Sequence, residues 1–274
     1  MMKRISFKFV TVLLIILSLV LVNCSEKDPV APTESPVLPP AESMKIDVSF
    51  FQKSGLAKTS AMTTKNNFLN ASLRVAFINT AVVLTMSIPT AVFAAAASTP
   101  PVWNDNDKKF HWIYTVNYNQ LTFKADLAGS LDSQAGEAVW EMYITSNATK
   151  PTLDNYLWYE GRSKLGNKSG WWLIYDSTKP TEKKSVLRLD WSYKDTESTV
   201  VFKNVLAGNE GENDVLTYWA NATERKVTYF DNSKQETAEV YWEITKGTGY
   251  VLAPDYNNGQ KACWDENQND VACP

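Results

Sequence analysis

The sequence predicts a mainly β protein: a meander of about ten antiparallel strands, barrel-like or strongly curved, with an N-terminal bent helical hairpin packed against or inside the sheet. Three observations predict it. Residues 108–253 alternate in short aromatic and β-branched runs. Turn residues separate those runs, and no helical pattern falls between them. Residues 66–98 are the one long apolar block with helical spacing available to cover such a sheet.

The N-terminal region carries an address. Lys3, Arg4 and Lys8 precede Val12–Val22, an apolar core of roughly 11–13 residues, shorter than the ~20 a spanning helix needs. Leu21-Val22-Asn23-Cys24 then resembles the lipobox of bacterial lipoproteins, although Asn23 stands where that motif prefers a smaller residue. The resemblance implies removal of residues 1–23 as a signal peptide and acylation of Cys24 with palmitate-type chains. It also implies a lipid anchor in the cell envelope. Ser25 and Glu26 follow the cysteine in place of an aspartate, which by the same resemblance points to the outer membrane, with the periplasmic or surface side open. Without residues 1–23 the chain keeps 24 Lys and Arg against 30 Asp and Glu, a net charge of −6. A surface that reads phosphates needs a basic stripe, so nucleic acid is not an expected partner.

Residues 24–44 hold five prolines and few large apolar side chains, and read as an extended tether. Residues 45–255 read as one domain. Ile46, Val48, Phe50 and Phe51 suit a short strand. In 66–98, Phe68, Ala71, Val75, Ile78 and Val82 share a helix face, and Pro89 should end the first helix near Ser87-Ile88. A second helix then runs from Thr90 to Ala97. Residues 75–97 are also long enough to be a second membrane span. Asn79, Thr80, Ser87, Pro89 and Thr90 inside the block, and the lack of a flanking basic cluster, favour a buried hairpin.

All ten Trp and all twelve Tyr lie after residue 100. Ten strand-like runs fall between Phe110 and Ile244, and Tyr250-Val251-Leu252 adds an edge. Trp140, Trp158, Trp171, Trp172, Trp191, Trp219 and Trp242 are the candidate ligand-lining residues, for an acyl chain or a sugar face. The competing reading is that they fill the core.

Catalytic signals are weak. The single histidine, His111, sits mid-strand, and no G-x-S-x-G elbow accompanies it. Glu141, Glu160, Asp190, Glu239 and Glu243 keep carboxylate-pair glycoside hydrolysis open, but no spacing singles out a pair. No catalytic residue is assigned and no cofactor is expected.

With Cys24 acylated, Cys263 and Cys273 remain as an even pair, and residues 256–274 read as a disulfide-closed hairpin tail. Direct pairing of the two cysteines would oppose Trp264 to Ala272 and leave Asn267-Gln268-Asn269 as the loop. Asp265, Asn267 and Asn269 also alternate like the first ligands of a calcium loop, but no glycine stands at the sixth position and no glutamate at the twelfth.

The strand Asn155–Gly161 and the Cys263-Trp264-Asp265…Cys273 ending resemble those of uncharacterised bacterial envelope lipoproteins, over roughly residues 66–274. That resemblance carries no activity. At fold level, a curved sheet closed over by helices is similar to the lipoprotein-carrier architecture. The expected function is therefore a lipid-anchored, non-enzymatic envelope protein that binds a hydrophobic ligand or acyl chain between sheet and helices. The alternatives are a surface-displayed structural or adhesion module with a filled core, and a carbohydrate-active protein.

Overall fold

The computed structural model describes residues 34–53, 65–118 and 120–274. Cys24, the signal peptide and the first half of the expected tether lie outside the described residues.

The chain alternates apolar and polar residues with a period of two, and each such run becomes a strand with one face inward. The strands are β1 Val102–Asn104, β2 Lys109–Tyr118, β3 Leu121–Asp132, β4 Glu137–Ser146, β5 Tyr156–Lys164, β6 Ser169–Tyr175 and β7 Ser185–Lys194. They continue with β8 Glu197–Asn204, β9 Val215–Ala220, β10 Glu224–Asp231, β11 Glu236–Glu243, β12 Gly249–Leu252, β13 Ala262–Trp264 and β14 Asp270–Val271. They form one 14-stranded antiparallel sheet in chain order, with β1 and β14 as its two open edges. The expected ten strands are β2–β11. The count rises to fourteen because the expected edge, β12, and the two strands of the tail hairpin, β13 and β14, join the sheet, and because β1 is only three residues long and carries no readable alternation.

Tryptophan and glycine organise the inner face together. Gly129 pairs with Trp140, Gly161 with Trp172, Gly170 with Trp191 and Gly249 with Trp264, each across one strand boundary. In every pair the indole lies where the glycine's Cβ would be. The missing side chain lets a large ring lie flat on the neighbouring strand, which offsets the weak strand propensity of glycine.

The expected helical hairpin is one continuous helix. With α1 as the short helix Ser49–Lys53, the long helix α2 runs Asn66–Ala96 and contains Pro89 without reversing. The proline removes one backbone donor, and the carbonyl that loses it belongs to the exposed residue Thr85, where water can serve it. Met86, Pro89, Val92 and Phe93 on either side are all buried, so a turn at Pro89 would sacrifice that packing. Two tyrosines brace this end: the Tyr114 hydroxyl donates to the Val92 carbonyl at 2.6 Å, and that of Tyr159 to the Pro89 carbonyl at 3.4 Å.

Helix α2 crosses the strands. At its start, Phe68 packs edge-on against Trp264 of β13, with ring centres 5.6 Å apart. Near its end, Phe93 packs against Trp172 of β6 at 5.1 Å. The 25 intervening steps are about 38 Å of helix.

The residues on either side of this scaffold also depart from expectation. Ile46–Phe51 is not a strand. The Asp47 carboxylate accepts the Ser49 N–H at 3.0 Å and starts α1 instead. Residues 35–44, expected in the tether, lie against the sheet: Asn167 donates to the Val37 and Leu38 carbonyls, and the buried Trp172 indole donates to Ser43 Oγ at 3.1 Å.

In the tail, a disulfide joins Cys263 and Cys273 with Cα atoms 5.2 Å apart. The strand register differs from direct cysteine pairing, since Cys263 faces Val271 and Trp264 faces Asp270. Two demands set it. Asp265 gathers the N–H groups of Asn267 and Asn269, which widens the loop. Asp270 is held by α2, whose first N–H groups, on Asn66 and Asn67, donate to its carboxylate at 3.1 and 2.8 Å.

Candidate functional site

The site follows from a break in the burial of α2. Phe68, Ala71, Val75 and Ile78 are buried, as are Met86, Val92 and Phe93, but no residue from 79 to 85 is. Ala81, Val82, Val83 and Leu84 are apolar all round, so composition alone sets no inward face there. Residues 79–85 are thus half-buried or exposed, and of the apolar run Ala81–Leu84 only Val82 packs against the core. Leu84 is 80% exposed and Phe77 73% exposed, far more than large apolar side chains in a packed helix.

One cleft opens beneath this stretch, and a second beneath the turns just before it. The first holds about 370 Å³ between Ile78, Val82 and the strand residues Val186, Leu187, Phe202 and Leu216. The second holds about 390 Å³ between Leu73, Phe77 and the strand residues Val227, Ala238 and Val240. Phe77, Ile78 and Tyr229 line both, so the two clefts adjoin. Volumes of this size, apolar walls and a few polar groups are the ordinary features of a small-molecule site.

The polar groups sit at opposite ends. At one end the Tyr229 hydroxyl donates to Asp214 at 2.5 Å, and Asp214 also accepts the Asn232 N–H at 2.9 Å. Burial first, and then the neighbouring Asp214 carboxylate, raise the Tyr229 phenol well above the ordinary tyrosine range and keep it a donor. At the other end Arg74 Nη2 meets Asp255 at 2.6 Å, and Arg74 Nε donates to Asn70 Oδ1 at 2.8 Å.

The seven candidate tryptophans are not brought together. Trp140, Trp158, Trp172, Trp191 and Trp242 are buried among the inner-face residues, and none of the seven lines either cleft beside α2. Trp171 and Trp219 are on the outer face. Trp171 and Trp172 are adjacent in β6, so a period of two sends them to opposite sides. The Arg188 guanidinium covers the Trp171 ring at 4.2 Å. Trp219 borders an open outer trough of about 560 Å³ with Lys226, Tyr241, Tyr250 and three threonines. Tyr241 and Tyr250 stack there with ring centres 5.3 Å apart.

The other candidates are engaged in structure. His111 bonds Asp126 at 2.7 Å through Nδ1 and Asp107 at 2.9 Å through Nε2. Burial alone would lower its pKa, but these two carboxylates outweigh it and raise the value. Glu141 and Glu160 face each other across β4 and β5. Glu141 is held by Lys109 at 2.5 Å, Glu160 by the Tyr175 hydroxyl at 3.0 Å, Asp190 by Arg188, Glu239 by Tyr250 and Glu243 by Lys246. The alternating Asp265, Asn267 and Asn269 serve their own loop: Asp265 accepts both asparagine N–H groups, and the Lys65 ammonium donates to the Asn267 carbonyl at 2.8 Å. Among the described residues no group of three His, Cys, Asp or Glu side chains is placed to hold a metal ion.

The cleft escaped the sequence reading because its strand wall is scattered, with β7, β8, β9 and β10 each supplying only one or two residues opposite the five from α2. The local signal was the run Ala81–Leu84, apolar on every side and so lacking a defined inward face. Comparison with protein-family models, curated proteins and solved structures finds no match to this chain.

Proposed function

We propose that this chain is a lipid-anchored envelope protein that holds an apolar molecule, such as an acyl chain, in the paired clefts between α2 and β7–β11. The observation that carries the reading is the unburied stretch of α2 above the first of those clefts, which adjoins the second. A packed structural helix would close onto Val186, Phe202 and Leu216, whereas a helix that shares its apolar face with a ligand leaves room. The lipobox-like Leu21-Val22-Asn23-Cys24 supports the anchor, and Ser25-Glu26 supports the outer membrane. Binding requires no chemical step, in keeping with the engaged carboxylates and histidine.

The reading includes a strongly curved sheet. Strands β2 and β6 are four spacings apart, about 19 Å if flat. Tyr114 of β2 nevertheless reaches the Val92 carbonyl, and Trp172 of β6 packs on Phe93, its neighbour in α2.

The test is mass spectrometry of organic-solvent extracts from the purified protein, with the Cys24-linked chains counted separately. The expected result is about one non-covalent acyl species per chain, lost when Leu216→Trp fills the first cleft. Equal recovery from the filled variant would refute the site.

A second reading, a saccharide-binding outer face, is favoured by the trough of Trp219, Tyr241 and Tyr250, where flat rings alternate with hydroxyl and ammonium groups. Glycan-array binding lost in Trp219→Ala would support it.

A further inference from the structure

The two ends of the paired clefts differ in charge, and the difference selects a ligand. At the first cleft the Asp214 carboxylate already takes donors from Tyr229 and Asn232. A second carboxylate there would meet an occupied acceptor and a like charge. The second cleft contains a cation. Arg74 lines it beside Leu73 and Phe77, and its side chain is 23% exposed. The recorded bonds use one N–H on Nε and one on Nη2, whereas a guanidinium carries five N–H donors in a planar fork. Three donors therefore have no protein partner among the described residues. The Asp255 side chain is 70% exposed, so the existing ion pair is largely solvated and weak.

Resting on the cleft reading above, we propose that the ligand is a long-chain fatty acid bound as its carboxylate. Arg74 receives the head group, and the chain runs beneath Phe77 and Ile78 towards Val186 and Leu187. The path from Arg74 to Thr85 is 11 helical steps, about 16 Å, and its helix wall between those residues is the apolar set Phe77, Ile78, Ala81 and Val82. The planar fork matches a carboxylate with two parallel bonds, which a lysine in the same place would not reproduce. The negative end at Asp214 sets the direction of the chain.

The full-length protein is titrated with cis-parinaric acid and with its methyl ester, read by fluorescence. The wild type should bind the acid about tenfold more tightly than the ester, the equivalent of about 1.4 kcal/mol for charge-assisted bonds. Arg74→Gln should weaken acid binding about tenfold and so remove that preference. Asp255→Asn, which breaks the same ion pair but leaves the cation, should tighten acid binding. The opposite signs of the two variants separate charge recognition from loss of folding. Equal binding of acid and ester by the wild type, or equal weakening of both by Arg74→Gln, would overturn the inference while leaving the apolar cleft intact. Binding of neither probe by the wild type would overturn the inference and the cleft reading together.

Discussion

Asp270 caps a helix that begins 204 residues earlier in the chain. The residue before α2, Lys65, supplies no side-chain cap of its own. The Asn66 and Asn67 N–H groups instead donate to the two Asp270 oxygens, and the Asn66 amide side chain adds a third bond at 3.3 Å. Removing a cap of this kind costs about 1–2 kcal/mol, and losing a negative charge at a helix N-terminus adds about 0.3–1 kcal/mol. Asp270→Ala should therefore destabilise by about 2 kcal/mol. For a domain of this size that corresponds to a melting temperature lower by roughly 4–8 °C. Asp270→Asn keeps an acceptor but loses the charge, and should fall between the wild type and alanine. Thermal unfolding followed by circular dichroism measures both, and added salt should shrink the aspartate–asparagine difference. A melting temperature for Asp270→Ala within about 1 °C of wild type would refute the claim that the tail fixes the start of α2.

Other outcomes follow from the same contacts. Gly161→Ala places a methyl group against the Trp171 carbonyl and the Trp172 ring, and should cost about 1–3 kcal/mol in urea unfolding. Reducing the Cys263–Cys273 bond removes a ten-residue closure worth about 3 kcal/mol in the chain-entropy model, so a reductant should lower the melting temperature and release two thiols. His111 has a raised pKa in the fold, so its contribution is fully present below its unfolded pKa of about 6.5 and is lost as pH rises through the folded value. Stability measured upward from about pH 6 should show that decline, and His111→Gln should flatten it.

Much of the sheet was legible because burial on one face writes itself into alternate residues. Phe110-Trp112-Tyr114-Val116 in β2 and Ala138-Trp140-Met142-Ile144 in β4 show the pattern plainly. β13 and β14 were legible as a hairpin closed by the two cysteines, but not in their register or as part of the large sheet. Their place is set by partners far away in sequence: β12 on one side and the start of α2 on the other. Pro89 misled for a related reason, since the local cost of a proline is known from sequence but the burial of Met86 and Phe93 that outweighs it is not. The aromatic residues were over-read. Adjacent Trp171 and Trp172 cannot both face one cavity in a strand, and the glycines opposite the buried tryptophans already mark ring packing within the sheet. The cleft could be anticipated in kind, as an apolar space between sheet and helix, but not in place, because its position depends on which turns of α2 stay unburied.

The central claim, that an apolar chain lies between α2 and β7–β11, is tested most directly by photolabelling. A fatty acid carrying a diazirine on its chain is bound to the full-length protein and irradiated, and the labelled residues are mapped by mass spectrometry. The account predicts labels on Ile78, Val82, Val186, Phe202 and Leu216, all suppressed by excess unlabelled fatty acid. Labels confined to the outer face around Trp171 and Trp219, or labels on Leu84 that excess ligand does not suppress, would contradict it.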